Sequence, residues 1–145
     1  MEISLLNKAK NLAHRCHAGQ TRWDGSPYIT HPESVVNRLI AKGLTSDGVL
    51  IVGWLHDTVE DSNIKIISIY DQFGYDISDA VDRLTHKENE SYADYIFRIS
   101  RNRTATIVKI ADLEDNLSDL DPVKQKQRID KYELAKLFLQ TSMST

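Results

Sequence analysis

The seven residues Val49 to Leu55, VLIVGWL, are uncharged and apolar on every side. Such a segment is stable in water only when other elements cover it all round. It runs directly into His56, Asp57, Thr58, Val59, Glu60 and Asp61. This predicts a helix opened by Ser46 and Asp47, central at first and carrying ionisable groups where it leaves the core. A buried strand is the competing reading of the apolar run, and the unbroken continuation through HDTVED favours helix.

Cover for that helix comes from both sides of the sequence. Residues 4–17 place Leu5, Leu6, Ala9, Leu12, Ala13 and Cys16 at helical spacing. Residues 19–30, GQTRWDGSPYIT, have the composition of a loop. HPESVVNRLIAKG then reads as a helix, with Thr30 as its cap, Pro32 in its first turn and Glu33 at the positive end of its dipole. Gly43 is its stop. Residues 63–73 and 76–86 form two shorter helices parted at Gly74, followed by 91–100, 103–118 and 122–140, the last starting at Pro122. About eight helices without strand alternation predict an all-α bundle, one domain over residues 1–145. Trp54 belongs to the core. The segment 122–140 reads as a packing helix, with a homodimer face as the alternative.

Composition narrows the function. Gly and Pro total nine, which disfavours disorder and turn-dense β folds. A net charge of −3 argues against broad binding of nucleic acid, while a small anionic ligand remains compatible. No apolar run approaches the roughly 20 residues of a membrane span, and no secretory segment stands at the N-terminus. No membrane partner is therefore expected. The single cysteine, Cys16, excludes an internal disulfide and fits a reducing cytoplasm.

Chemistry concentrates after the apolar run. On a helix, Asp57, Glu60 and Asp61 crowd one side, and carboxylates at that density need a cation, hydrogen bonds or protonation unless they are a solvated helix end. His31 stands just after the glycine-containing loop, and Asp112 lies in IVKIADLEDNL with Asp115 and Asn116 one turn on. His31, His56, Asp57 and Asp112 together offer two imidazoles and two carboxylates, a set that suits Mn, Fe, Co, Ni or Zn better than Ca. Lys109, one turn before Asp112, fits a phosphate contact or an ion pair equally. Arg22 beside Trp23 could stack on a planar ligand. His14 and His17 lack matching carboxylates and read as packing or loop-anchoring residues.

The ordered residues His31, His56-Asp57 and Asp112 resemble the pattern of HD-domain metal-dependent phosphohydrolases. More closely, AHxxHAGQTRxxGxPYxxHP over residues 13–32, LHDTVED over 55–61 and VKIADxxxN over 108–116 resemble the RelA/SpoT hydrolase domain and its small stand-alone relatives. The likeness runs from about residue 5 to residue 120. It implies an all-α HD-domain fold and one Mn²⁺ held by His31, His56, Asp57 and Asp112. It implies removal of the 3′-pyrophosphate of guanosine tetra- or pentaphosphate, with Glu60 and Asp61 as the catalytic acids, Arg22 on the guanine and Asn116 on the ribose. The third motif departs at Leu113, where relatives carry a basic residue, and at Glu114-Asp115; Trp23 replaces a common lysine. The two lost cations and two extra acids are expected to weaken attraction for a polyanion. Another phosphorylated nucleotide or cofactor is the alternative substrate, and a non-catalytic metal and nucleotide sensor the alternative class.

Overall fold

In the computed structural model the apolar run becomes α3 (Asp47–Leu55), and every residue from Val49 to Leu55 is buried. The structure describes residues 2–144, so Met1 and Thr145 at the ends of the expected domain lie outside the described residues. Four elements wrap α3: α1 (Leu5–Cys16), α2 (Thr30–Ala41), α6 (Tyr75–Leu84) and α8 (Arg103–Ser118). α5 (Ile66–Phe73) packs on α6, α7 (Tyr92–Ser100) bridges α6 and α8, and α9 (Lys126–Ser142) lies along α8. With the single turn α4 (Thr58–Asp61), these are eight full helices and one short one, with no strand among the described residues. No described helix is long and apolar enough to cross a membrane.

Side-chain caps set several helix starts. Ser4, Ser91 and Asn102 accept the backbone N–H groups of Asn7, Asp94 and Ala105, at 3.2, 3.0 and 2.9 Å. Gly43 closes the end of α2 at φ +76°, a conformation that favours glycine. Gly53 serves close approach instead. A Cβ there would stand 3.0 Å from Leu39 Cδ1 and 3.1 Å from Val36 Cγ2, so its absence lets α3 lie tightly on α2.

Three local expectations are corrected. The central helix does not run unbroken through HDTVED. It ends at Leu55, because the His56 ring takes the Gly53 carbonyl at 2.7 Å and Thr58 Oγ1 donates to the Leu55 carbonyl at 2.8 Å. Asp57 sits at φ −107°, ψ 0° between α3 and α4. Thr30 is not a cap; it lies inside α2, and its hydroxyl donates back to the Pro27 carbonyl at 2.7 Å. The last helix starts at Lys126 rather than Pro122, because Asp121 binds the N–H groups of Val123 and Lys124 in a turn of its own.

α9 contributes Ala135 and Leu139 to the core, while Leu134, Leu137 and Phe138 remain exposed. Trp54 is buried as expected.

Candidate metal centre

Three segments far apart in sequence converge below the loop of residues 17–29. That loop folds back on itself as a miniature hairpin, bridging Thr21 and Pro27, with Arg22 N–H donating to the Ser26 carbonyl at 2.8 Å. It delivers Tyr28 and the start of α2, so His31 enters the core from the first turn of that helix. The α3–α4 break supplies His56 and Asp57. α8 supplies Asp112, buried on its inner face.

One ligand atom from each of His31, His56, Asp57 and Asp112 lies within 4.8 Å of the others. His31 Nε2 stands 2.7 Å from Asp112 Oδ1 and 3.6 Å from Asp57 Oδ2. His56 Nε2 stands 3.0 Å from Asp57 Oδ2 and 3.3 Å from Asp112 Oδ1, and neither contact has hydrogen-bond geometry. A buried ring nitrogen facing two carboxylate oxygens without a hydrogen bond is a position that a cation satisfies. Its other nitrogen is committed to the Gly53 carbonyl, so Nε2 is the free ligand atom. Two imidazole nitrogens and two carboxylate oxygens fit a divalent transition ion.

The electrostatics agree with that fit. Burial works against charging His31, and the Asp112 and Asp115 carboxylates outweigh it, raising the group to about 9. His56 moves the same way: burial lowers it, and the Asp57 and Asp112 carboxylates together more than reverse that. Positive charge is thus favoured at this point of the core, whether proton or metal.

Three of the cluster residues, His31, Asp57 and Asp112, form part of the wall of a cavity of about 510 Å³, lined also by Glu60, Asp61, Lys109, Asn116, Tyr28 and Tyr132. Glu60 accepts the His86 backbone N–H at 2.7 Å. Burial raises its pKa, and the neighbouring Asp57 and Asp61 charges add to that, partly offset by the His86 bond. Asp61 is also raised, by burial and then by Asp57. Lys109 donates to Asp112 Oδ2 at 2.9 Å and lies over the Tyr95 ring. It is therefore an ion-paired lysine that also faces the cavity. Asn116 Nδ2 reaches Asp112 Oδ1 at 3.3 Å.

Arg22 takes a different place. Its guanidinium pairs with Asp115 at 3.4 Å and Asp119 at 3.1 Å, and its side chain is 13% exposed and outside the cavity lining. Trp23 is 76% exposed. His14 lies 5.9 Å from the Trp54 ring, and His17 anchors the loop by bonding Gln20 at 2.8 Å and packing on Tyr28.

Two contacts escape sequence reasoning. Tyr28 donates its hydroxyl proton to Asp57 Oδ2 at 2.7 Å, steering that carboxylate. Asp115 accepts from His31 Nδ1 at 2.7 Å on the side away from the cluster. The expectation that Glu114 and Asp115 burden the ligand site is corrected. Glu114 pairs with Lys42, Asp115 is neutralised by Arg22 and Arg38, and neither lines the cavity. Leu113 is wholly buried in the core.

The comparisons with known proteins meet this geometry. The family model described as HD domain matches residues 9–131. The chain belongs to the HD-domain family. Among curated relatives of this HD domain, the guanosine-3′,5′-bis(diphosphate) 3′-pyrophosphohydrolase of Borreliella burgdorferi is 31% identical over 137 residues, covering 86% of this chain and 20% of that protein. The bifunctional (p)ppGpp synthase/hydrolase RelA of Mycobacterium tuberculosis is 32% identical over 139 residues, covering 88% and 19%. A probable GTP pyrophosphokinase of Mycobacterium leprae is 31% identical over 138 residues, covering 87% and 17%. The HD domain thus spans about a fifth or less of the length of these relatives. A solved structure described as a metazoan ortholog of SpoT that hydrolyses ppGpp superposes with a TM-score of 0.76 at 24% identity, covering 98% of this chain and 86% of that one, and shares the fold.

Proposed function

We propose that this HD domain is a metal-dependent phosphohydrolase that removes the 3′-pyrophosphate of guanosine tetra- or pentaphosphate, with Mn²⁺ as its ion. One observation carries the reading: His31, Asp57 and Asp112 of the two-histidine, two-aspartate cluster line the same cavity as Glu60, Asp61, Lys109 and Asn116. Four carboxylates and one lysine line that cavity, so it repels a phosphate until a divalent cation offsets most of that negative charge. The names of the relatives support the choice of substrate.

A divalent ion at His31, His56, Asp57 and Asp112 supplies Lewis acidity toward a phosphoryl oxygen and lowers the pKa of water. The chain's own groups do the rest. Lys109 and Asn116 meet the phosphates and ribose. Glu60 and Asp61, held protonated to higher pH than ordinary carboxyls, exchange a proton with the attacking water or the departing ribose oxygen. Water adds to the phosphorus, the bond from phosphorus to the 3′ oxygen breaks, and that oxygen takes a proton. The products are pyrophosphate and the guanosine 5′-di- or triphosphate.

The test is a panel of phosphorylated nucleotides with added Mn²⁺, reading pyrophosphate and orthophosphate separately. Pyrophosphate released from guanosine tetraphosphate is the expected result. Turnover of another nucleotide with none of guanosine tetraphosphate moves the assignment to that substrate. Tight nucleotide binding without turnover of any assigns a sensor.

A further inference from the structure

We propose that Asp115 is a positioning residue for the metal centre: it holds His31 in the tautomer and orientation that present Nε2 to the ion. The proposal rests on the metal reading of the cluster and adds a residue outside it. Asp115 is 4% exposed and stands behind His31, on the face of the ring opposite Asp112 and Asp57.

The chemistry of its neighbours decides what it must be. Oδ2 receives His31 Nδ1 at 2.7 Å and Arg22 Nη1 at 3.4 Å. Oδ1 receives Arg38 Nε at 3.1 Å and the Ser34 hydroxyl. Both oxygens therefore act only as acceptors, which an ionised carboxylate can do and a carboxamide cannot. An amide in this position would turn its NH₂ either toward His31 and Arg22 or toward Arg38 and Ser34. Neither arginine can accept from it.

With Asp115 ionised, the His31 proton is held on Nδ1 and the Nε2 lone pair points into the cluster. A carboxylate bound to the far nitrogen also raises the basicity of a metal-binding imidazole, and loss of such a partner costs about 10–100-fold in metal affinity or activity. The His31, Ser34 and Arg38 donors hold this second buried acid in its acceptor-only form, and Arg22 and Arg38 balance its charge away from the cavity. Arg22, paired with Asp115 and Asp119, also supports the site from behind. His56 is oriented differently, by the Gly53 carbonyl, so the two histidines are held by independent devices and only one depends on Asp115.

The experiment compares wild type with Asp115→Asn and Ser34→Ala. Mn²⁺ affinity is measured by titrating chelator-treated protein and reading free Mn²⁺ by electron paramagnetic resonance. The expected result is a loss of about 10–100-fold for Asp115→Asn and a smaller loss for Ser34→Ala, which leaves the His31 contact in place. Nitrogen-15 spectra of Zn²⁺-loaded protein give a readout that a merely structural role would not move. A slowly exchanging proton on His31 Nδ1 is expected in wild type and Ser34→Ala, and a rapidly exchanging one in Asp115→Asn. Ser34→Ala keeps the test open should Asp115→Asn unfold. A His31 Nδ1 proton that exchanges rapidly in wild type and in Ser34→Ala overturns the proposal. Equal Mn²⁺ affinity and equal exchange in wild type and folded Asp115→Asn also overturn it and leave the metal reading intact. Absence of Mn²⁺ and Zn²⁺ binding by folded wild type overturns both.

Discussion

At the residue scale, Asp57 and Glu60 are three positions apart yet have different surroundings. Asp57 is pinned by the Tyr28 hydroxyl and faces both histidines, whereas Glu60 is held only by the His86 amide and carries a raised pKa. Asp57→Ala removes one of the four proposed ligands, so metal content and turnover are expected to fall together. Glu60→Gln keeps the size and the amide contact but not the exchangeable proton, so bound metal is expected to stay while kcat falls by roughly 10²–10⁴. Asp61→Asn behaves similarly if it shares that task. Metal analysis beside kcat checks this; near-wild-type turnover in both Glu60→Gln and Asp61→Asn makes the acids a solvated helix end. The four residues of the cluster were legible because they stand in ordered motifs. Asp115 was not, because an acid among acids near a helix end has the look of solvated surface; only the fold shows His31, Ser34 and two arginines aimed at it.

At the element scale, the segment joining α6 to α7 holds Glu60 through the His86 amide. Arg98 clamps that segment by donating to the carbonyls of Asp82 and Thr85, at 3.1 and 2.9 Å, and to both oxygens of Glu90. The Arg98 bond draws Glu90 down from its ordinary 4.5 to about 2. The folded pKa is the lower one, so the stabilisation is fully present above pH 4.5 and is lost as pH falls through about 2. In Arg98→Gln, Glu90 is expected to titrate near its ordinary value and the His86 amide to exchange faster. A carbon-13 titration of Glu90 with hydrogen exchange at His86 checks both; unchanged exchange removes the clamp from the description. Helices such as α8 were legible to the residue, because its apolar face is long. The break between α3 and α4 was not. Hydrophobic spacing does not register a two-residue interruption, and what decides it is the His56 ring taking a backbone carbonyl from the last turn.

At the scale of the whole molecule, the four residues of the cluster come from α2, the α3–α4 junction and α8, so the candidate site exists only when the bundle has closed. An ion that binds there has little affinity for the unfolded chain, where residues 31, 56, 57 and 112 are dispersed. It therefore stabilises the fold by mass action, by about 2.7 kcal/mol when free metal stands at about 100 times its dissociation constant. For a domain of about 150 residues each kcal/mol moves Tm by about 2–4 °C, so Mn²⁺ added to chelator-treated protein is expected to raise Tm by roughly 5–10 °C. Thermal melts of wild type and Asp57→Ala, each with chelator and with Mn²⁺, separate the causes. The variant is expected to lose the Mn²⁺-dependent part of the shift while still unfolding cooperatively, because the core around α3 is built from Val49 to Leu55 and needs no ion. A Mn²⁺ shift of equal size in wild type and Asp57→Ala would mean that the stabilising ion binds somewhere other than this cluster.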